Sequence, residues 1–436
     1  MSSRLNHLLF TALLLLAFTG AGYKTYHRAA DSVFATTPVK LLALETTALP
    51  AKPFRPGQAL GFDSQFVSSQ PGQAVHAPSL VELRNGNLRA VWFSGSREGA
   101  GDVTIQTALF DAATRRWSAE TTLFNRSQLQ RGLLRYVKKI GNPVIARAPD
   151  ESLHLWMVNV SLGGWAGSAI TWARSVDEGA TWSTPKRLVT SPFLNISTLV
   201  KGAPIHMADG SIALPVYHEF ITKFAEVLQL NAVGQVVGKT RIPGSRTSLQ
   251  PAVLVASPQT ATAYMRSGQG GRVTASSTAD AGKTWSRASA INLPNPDSAL
   301  AALHTQSGNN WLALNPTSSG RQSLALLKSD DAGNFDTTKA IFVESANAPT
   351  KLVGEDLSVL DYSTYMAREL RALGAGEADT LAYIASARRQ LCHQEACVKE
   401  FSYPFLLQTR DRSMHLVYTW QRSRIKHVQL DGAALD

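Results

Sequence analysis

Short runs of alternating apolar and polar residues fill most of the chain after about residue 60, and a period of two marks strands that bury one face. The clearest are Ser79 to Leu83, Leu88 to Phe93, Val103 to Phe110, Leu153 to Val158, Ile212 to Val216, Thr262 to Met265, Trp311 to Leu314 and His415 to Trp420. Turn sequences such as Arg84-Asn85-Gly86-Asn87 and Ala208-Asp209-Gly210 separate them. Helical spacing interrupts this pattern over 355–399, where Gly374-Ala375-Gly376 divides two expected helices that a cysteine pair closes. At the N-terminus, Arg4 and His7 precede an apolar run from Leu8 to Gly22, followed by Lys24, His27 and Arg28. That order is an export signal, and its apolar run is shorter than the roughly 20 residues of a usual membrane span. Residues 1–30 are read as a signal peptide or an N-terminal membrane anchor, and 31–59 as a linker.

One string recurs within the strand region. Ser175-Val176-Asp177-Glu178-Gly179-Ala180-Thr181-Trp182 returns as Thr278-Ala279-Asp280-Ala281-Gly282-Lys283-Thr284-Trp285, and a worn copy runs from Ser329 to Phe335. From 175 to 278 is 103 residues and from 278 to 329 is 51, so the unit is about fifty residues. Each part suits a hairpin: Asp accepts from the turn backbone, Gly supplies positive φ, and Trp packs back between sheets. Four short strands repeated at this period are the pattern of propeller blades. The expected fold is all-β, a six-bladed β-propeller over 60–436 with a small helical insertion near the C-terminus.

The composition of these 436 residues, 44% apolar and 17% charged, provides ample core. The formal charge of +11 is spread along the chain without a dense tract, so no nucleic-acid partner is expected. Cys392 and Cys397 are the only cysteines, and in an exported chain they are expected to pair. No metal-ligand spacing, phosphate loop or dinucleotide fingerprint occurs, so neither a metal nor a cofactor is expected. A monomer is expected.

The repeated Asp string and the segments around it resemble the sialidase and Asp-box (BNR repeat) propeller family, over nearly everything after residue 60. The resemblance implies an exo-α-sialidase-like glycosidase in which arginines hold a sugar carboxylate, an Asp is acid/base, and a Tyr attacks with help from a Glu. Guanidinium forks suit that carboxylate because their hydrogen bonds are charge-assisted and directional. Position by position, Asp102 matches the acid/base, and Tyr403 in Glu400-Phe401-Ser402-Tyr403-Pro404 matches the nucleophile. Arg266 in Tyr264-Met265-Arg266 and Arg321 match two of the arginines. Arg97 stands in the charged loop Ser94 to Gly99, and Arg422, in the last strands, is a further candidate for the acid group.

Two positions depart from the family. His76 stands where the first arginine belongs, which removes a charged hydrogen bond of about 1.5 to 3 kcal/mol. Gln250 stands where the assisting Glu belongs, so the phenol loses its base. His76 opens another route as a general base near neutral pH, with Arg266 and Arg321 holding a uronate and Tyr403 as its partner. The expectation is therefore an exported, periplasmic or membrane-anchored hydrolase of an acidic sugar. The alternatives are a non-catalytic carbohydrate-binding propeller in envelope polysaccharide handling and a His-dependent uronate glycosidase or lyase. In each case the partner is an acidic glycan.

Overall fold

The computed structural model describes residues 3–26, 32–36, 63–191, 195–344 and 356–430. Residues 27–30 of the expected leader, 37–59 of the expected linker, 60–62, Glu355 and 431–436 lie outside the described residues. Among the described residues the strands form six antiparallel sheets of four or five strands in chain order, and a small three-stranded sheet of Leu357–Ser358, Ala396–Cys397 and Cys392–His393. The first sheet is built on Ala74–Glu82, Leu88–Gly95 and Thr104–Asp111, and the second on Lys139–Arg147, Leu153–Val160 and Ser168–Ser175. The third is built on Ile212–His218, Phe224–Leu230 and Val236–Arg241, and the fourth on Ser248–Val255, Ala261–Ser267, Gly271–Thr278 and Ser289–Asn295. Ala301–His304, Asn310–Leu314, Leu324–Lys328 and Ile341–Glu344 make the fifth. The sixth joins Phe401–Gln408, Met414–Trp420 and Arg424–Leu430 to Asp63–Phe66, so its outer strand comes from the other end of the chain. All eight strand runs read from the alternation are strands.

Leading strands of neighbouring sheets contact one another in turn, and Phe401–Gln408 of the last sheet contacts Ala74–Glu82 of the first. Buried Trp92, Trp156, Trp311 and Trp420, one on each of four second strands, fill the spaces between sheets. A buried ion pair ties the fifth sheet to the sixth: Lys426 Nζ and Tyr418 Oη donate to Glu344 Oε1 at 2.5 and 2.6 Å.

The repeated string works as a turn staple. Asp177 accepts from the amide and hydroxyl of Thr181 at 2.9 and 2.6 Å, and Asp280 does the same with Thr284 at 2.8 and 2.5 Å. The Thr181 bonds, followed by that from Ser175, hold the Asp177 carboxyl down at about 2. Gly179 and Gly282 have φ of 86° and 78°, which a side chain would strain. In the worn copy the staple falls on Asp330, which accepts from the Asn334 amide at 2.7 Å.

Four helices accompany the sheets among the described residues. The leading one, α1 (Ser3–Tyr26), exposes Leu8, Phe10, Leu13, Leu16 and Phe18; among the described residues, no helix is long and apolar enough to cross a membrane. Part of the span expected as linker is built into the fold. Phe34 bridges Met207, donates its amide to Pro258, and buries its ring among Ile205, Ala281 and Trp285, since one aromatic ring gains more from burial than a short segment loses on ordering. Next comes α2 (Arg126–Leu133), between the first two sheets. The insertion contains α3 (Val359–Ala372) and α4 (Glu377–Leu391), whose buried Tyr362, Met366, Tyr383 and Leu391 pack on the fifth and sixth sheets. The Cys392–Cys397 disulfide closes its end. The insertion also backs the turn after Trp420, because Tyr362 Oη donates to Gln421 Oε1 at 2.9 Å and Gln390 to the Arg422 carbonyl at 3.4 Å.

Candidate active site

Four leading strands share a local distortion. Ala77, Asn142, Gln250 and Tyr403 each precede a proline and have φ of 54°, 42°, 52° and 54°. Each lies where the strand slips register against its neighbour. Proline has no N–H to contribute to the ladder, so a bulge there loses little, and the left-handed residue before it turns its side chain out of the pleat. Such strained positions cluster at functional sites.

Three of the four side chains meet. Gln250 Nε2 donates to Tyr403 Oη at 3.1 Å and to Tyr217 Oη at 3.4 Å, and Asn142 Nδ2 donates to Tyr217 Oη at 3.3 Å. Arg266 Nη1 donates to Gln250 Oε1 at 3.0 Å, which fixes the amide with its NH2 toward the phenols. Gln250 is therefore a donor to Tyr403 and cannot take its proton.

Three guanidinium groups surround this pair. Arg266 Nε donates to Asp297 at 2.5 Å, and Arg321 donates to the Asp297 carbonyl at 2.8 Å and to Glu400 at 3.5 Å. Arg422 donates to the other Glu400 oxygen at 2.8 Å and lies 3.9 Å from Glu98. Burial opposes charge on Glu400, but Arg422 and Arg321, with a bond from Ser402, hold its carboxyl below the usual range. Burial likewise opposes charge on Arg266, and Tyr403 and Asp297 outweigh it, so that guanidinium stays protonated.

His76 lies against Tyr403 with ring centres 4.2 Å apart, and its Nδ1 is 3.0 Å from Thr419 Oγ1. Burial pushes the imidazole well below its usual range, and Arg422, Arg321, Lys201 and Arg266 push it further. All four cations therefore act on one ring, which is neutral at pH 7.

Lys201 is buried, donates to the Pro404 carbonyl at 3.1 Å and sits 5.7 Å from the Tyr403 ring centre. Burial lowers it to about 7. Between there and the value of about 10.4 expected unfolded, the folded chain binds fewer protons, so this group favours folding increasingly as pH rises through that window. It costs most below pH 7. The Tm of Lys201→Met minus that of the wild type is expected to be more positive at pH 6 than at pH 9, by the equivalent of about 2 kcal/mol. Melts showing the same difference at both pH values would refute the lowered titration.

Of the residues read from the sequence, His76, Gln250, Arg266, Arg321, Tyr403 and Arg422 come together. Asp102 and Arg97 do not join the cluster; both are exposed on the loop after Gly95, and Asp102 accepts from the Ser96 amide and hydroxyl at 3.0 Å each, as a turn residue does. That loop reaches the cluster through Glu98. Asn142, Tyr217, Asp297 and Glu400 are additional members. Asn142 was visible in principle, since Asn142-Pro143 repeats the pattern of Ala77-Pro78, Gln250-Pro251 and Tyr403-Pro404.

A family model described as a BNR repeat-like domain matches residues 86–416. Among solved structures, Hadza microbial sialidase Hz136 is similar with a TM-score of 0.60 at 16% identity, over 83% of this chain and 66% of that one, so the chain spans just under two thirds of it. A protein of unknown function from Dyadobacter fermentans gives a TM-score of 0.59 at 11% identity, over 85% of this chain and 99% of that one. The intramolecular trans-sialidase from Ruminococcus gnavus, solved with oseltamivir carboxylate, gives 0.55 at 12% identity, over 87% and 97%. No curated protein matches the chain in sequence. Identities this low speak for a shared fold and leave the reaction open. The chain belongs to the BNR repeat-like domain family.

Proposed function

We propose that the six sheets are the blades of a closed six-bladed propeller, and that its site takes the acidic sugar of a glycan and cleaves its glycosidic bond. The observation that carries this reading is the convergence of Arg266 on Gln250, beside Tyr403, and of Arg321 and Arg422 on Glu400, all three near enough for their charges to act on His76. Each arginine uses part of its donor set on Asp297, Glu400 or Gln250 and keeps N–H groups for a carboxylate. Arg422 thereby supplies the third guanidinium that His76 took from the first strand. Tyr403 is the nucleophile, and neutral His76 against its ring is the base that the Gln250 amide cannot be.

A second reading is favoured by Gln250 itself, which donates to Tyr403 where a base would accept: the same pocket binds an acidic sugar without cleaving it. Incubating the purified protein with sialosides and uronic-acid oligosaccharides, and following both binding and products, separates the two. Released acidic sugar supports the hydrolase, an unsaturated ultraviolet-absorbing product would mark a lyase, and binding without product leaves the binding reading. If no acidic saccharide is bound at all, and Arg321→Ala behaves as wild type, the carboxylate pocket is refuted.

A further inference from the structure

The segment between the first two sheets carries a charge pattern that the site does not use. Arg126, Arg131, Arg135, Lys138 and Lys139 fall within 126–139, and no Asp or Glu occurs from 121 to 149. Among the described residues none of these five side chains has an ion-pair or hydrogen-bond partner, and Arg131, Arg135 and Lys138 are exposed. Arg126 and Arg131 stand on α2, Arg135 and Lys138 follow it, and Lys139 opens the next strand. Helix α2 begins with a capping box between Asn125 and Gln128 and ends on Leu134 in the left-handed region at φ 48°.

This surface adjoins the candidate site. Lys139 is three residues before Asn142, whose side chain reaches Tyr217 beside Gln250. A methyl group added at Gly99 would meet Lys139 Nζ at 3.4 Å, and one at Gly101 would meet Arg126 Nη1 at 2.8 Å. Both cations thus lie against the loop that holds Asp102 and whose Glu98 approaches Arg422. Aromatic rings accompany the charges: Lys139 Nζ lies 5.7 Å from the Trp165 ring centre, and Tyr136 is 58% exposed. Unpaired cations interleaved with rings suit a chain of sugar rings bearing anionic groups.

We infer that this surface, Arg126 to Lys139 with Trp165, is a subsite for the rest of a polyanionic glycan whose acidic residue enters the pocket. The inference rests on the reading of the pocket as an acidic-sugar site. Continuity with that pocket favours a glycan over a nucleic acid or an anionic membrane.

The test measures binding of the full chain to a short acidic saccharide, to long polysialate and polygalacturonate, to duplex DNA and to phosphatidylglycerol vesicles. The proteins compared are wild type, Arg131→Glu/Arg135→Glu and Arg266→Ala. The wild type is expected to bind a long chain at least about tenfold more tightly than the short one, a margin that charge reversal at two exposed cations removes and raised salt shrinks. Binding of the short saccharide is expected to be unchanged by the α2 variant and weakened by Arg266→Ala. Equal binding of long and short chains by wild type, undiminished polymer binding by the α2 variant, or tighter binding of DNA or vesicles than of either polymer would each overturn the inference. Polymer binding that depends on α2 while the short saccharide is never bound would instead refute the pocket reading and leave the surface intact.

Discussion

Tyr403→Phe is expected to lower kcat on an acidic glycoside by about a thousandfold while leaving saccharide binding within a few-fold of wild type. The ring keeps its place between His76 and Lys201, and only the oxygen that receives the Gln250 hydrogen bond is lost. Gln250→Glu probes the same contact from the other side. Arg266 Nη1 already donates to the oxygen that a carboxylate would retain, and the second oxygen would face the two phenols. A carboxylate base would then face the Tyr403 oxygen in addition to His76, and kcat is expected to rise by about tenfold or more if attack by the phenol limits turnover. Steady-state kinetics on one sialoside and one uronide read both variants. Unchanged kcat in Tyr403→Phe would remove this residue from the reaction.

Lys426→Met is expected to cost about 3 to 5 kcal/mol of folding stability, the penalty for breaking a buried ion pair by removing one partner. Lys426 and Glu344 are each only 9% exposed, and without the ammonium the carboxylate would depend on the Tyr418 hydroxyl. The pair joins the last strand of the fifth sheet to the sixth, so its loss weakens the contact between these two sheets. Glu344→Gln/Lys426→Met is expected to recover most of the loss, because no buried charge is then left alone. Denaturant unfolding of the single and double variants measures this. A double variant as unstable as the single one would show that packing, and not charge, sets the cost.

Architecture was legible because its signals are local. Alternation along Leu153 to Val158 or His415 to Trp420 needs only neighbouring residues, and the Asp-Gly turn is stapled within five residues of itself, as Asp177 and Thr181 show. The helical insertion and its disulfide were legible for the same reason. Phe34 was not, since a lone aromatic residue in a polar stretch does not reveal which distant sheets will cover it.

In the site, residue types were readable and partnerships were not. Sequence alone determined that His76 and Gln250 depart from the family pattern, and that Arg266, Arg321 and Tyr403 keep it. Only the tertiary structure decided that Arg422, 346 residues after His76, joins Arg321 on Glu400 as the third guanidinium of the site. It alone showed that Asp102 is occupied by Ser96, and that Gln250 must donate to Tyr403 because Arg266 holds its oxygen. The physical reason is that a strand's period and a turn's geometry are set by adjacent bonds. The charge and hydrogen-bond direction at a buried centre are sums over side chains from separate sheets, and only the packing of those sheets brings them within reach of one another.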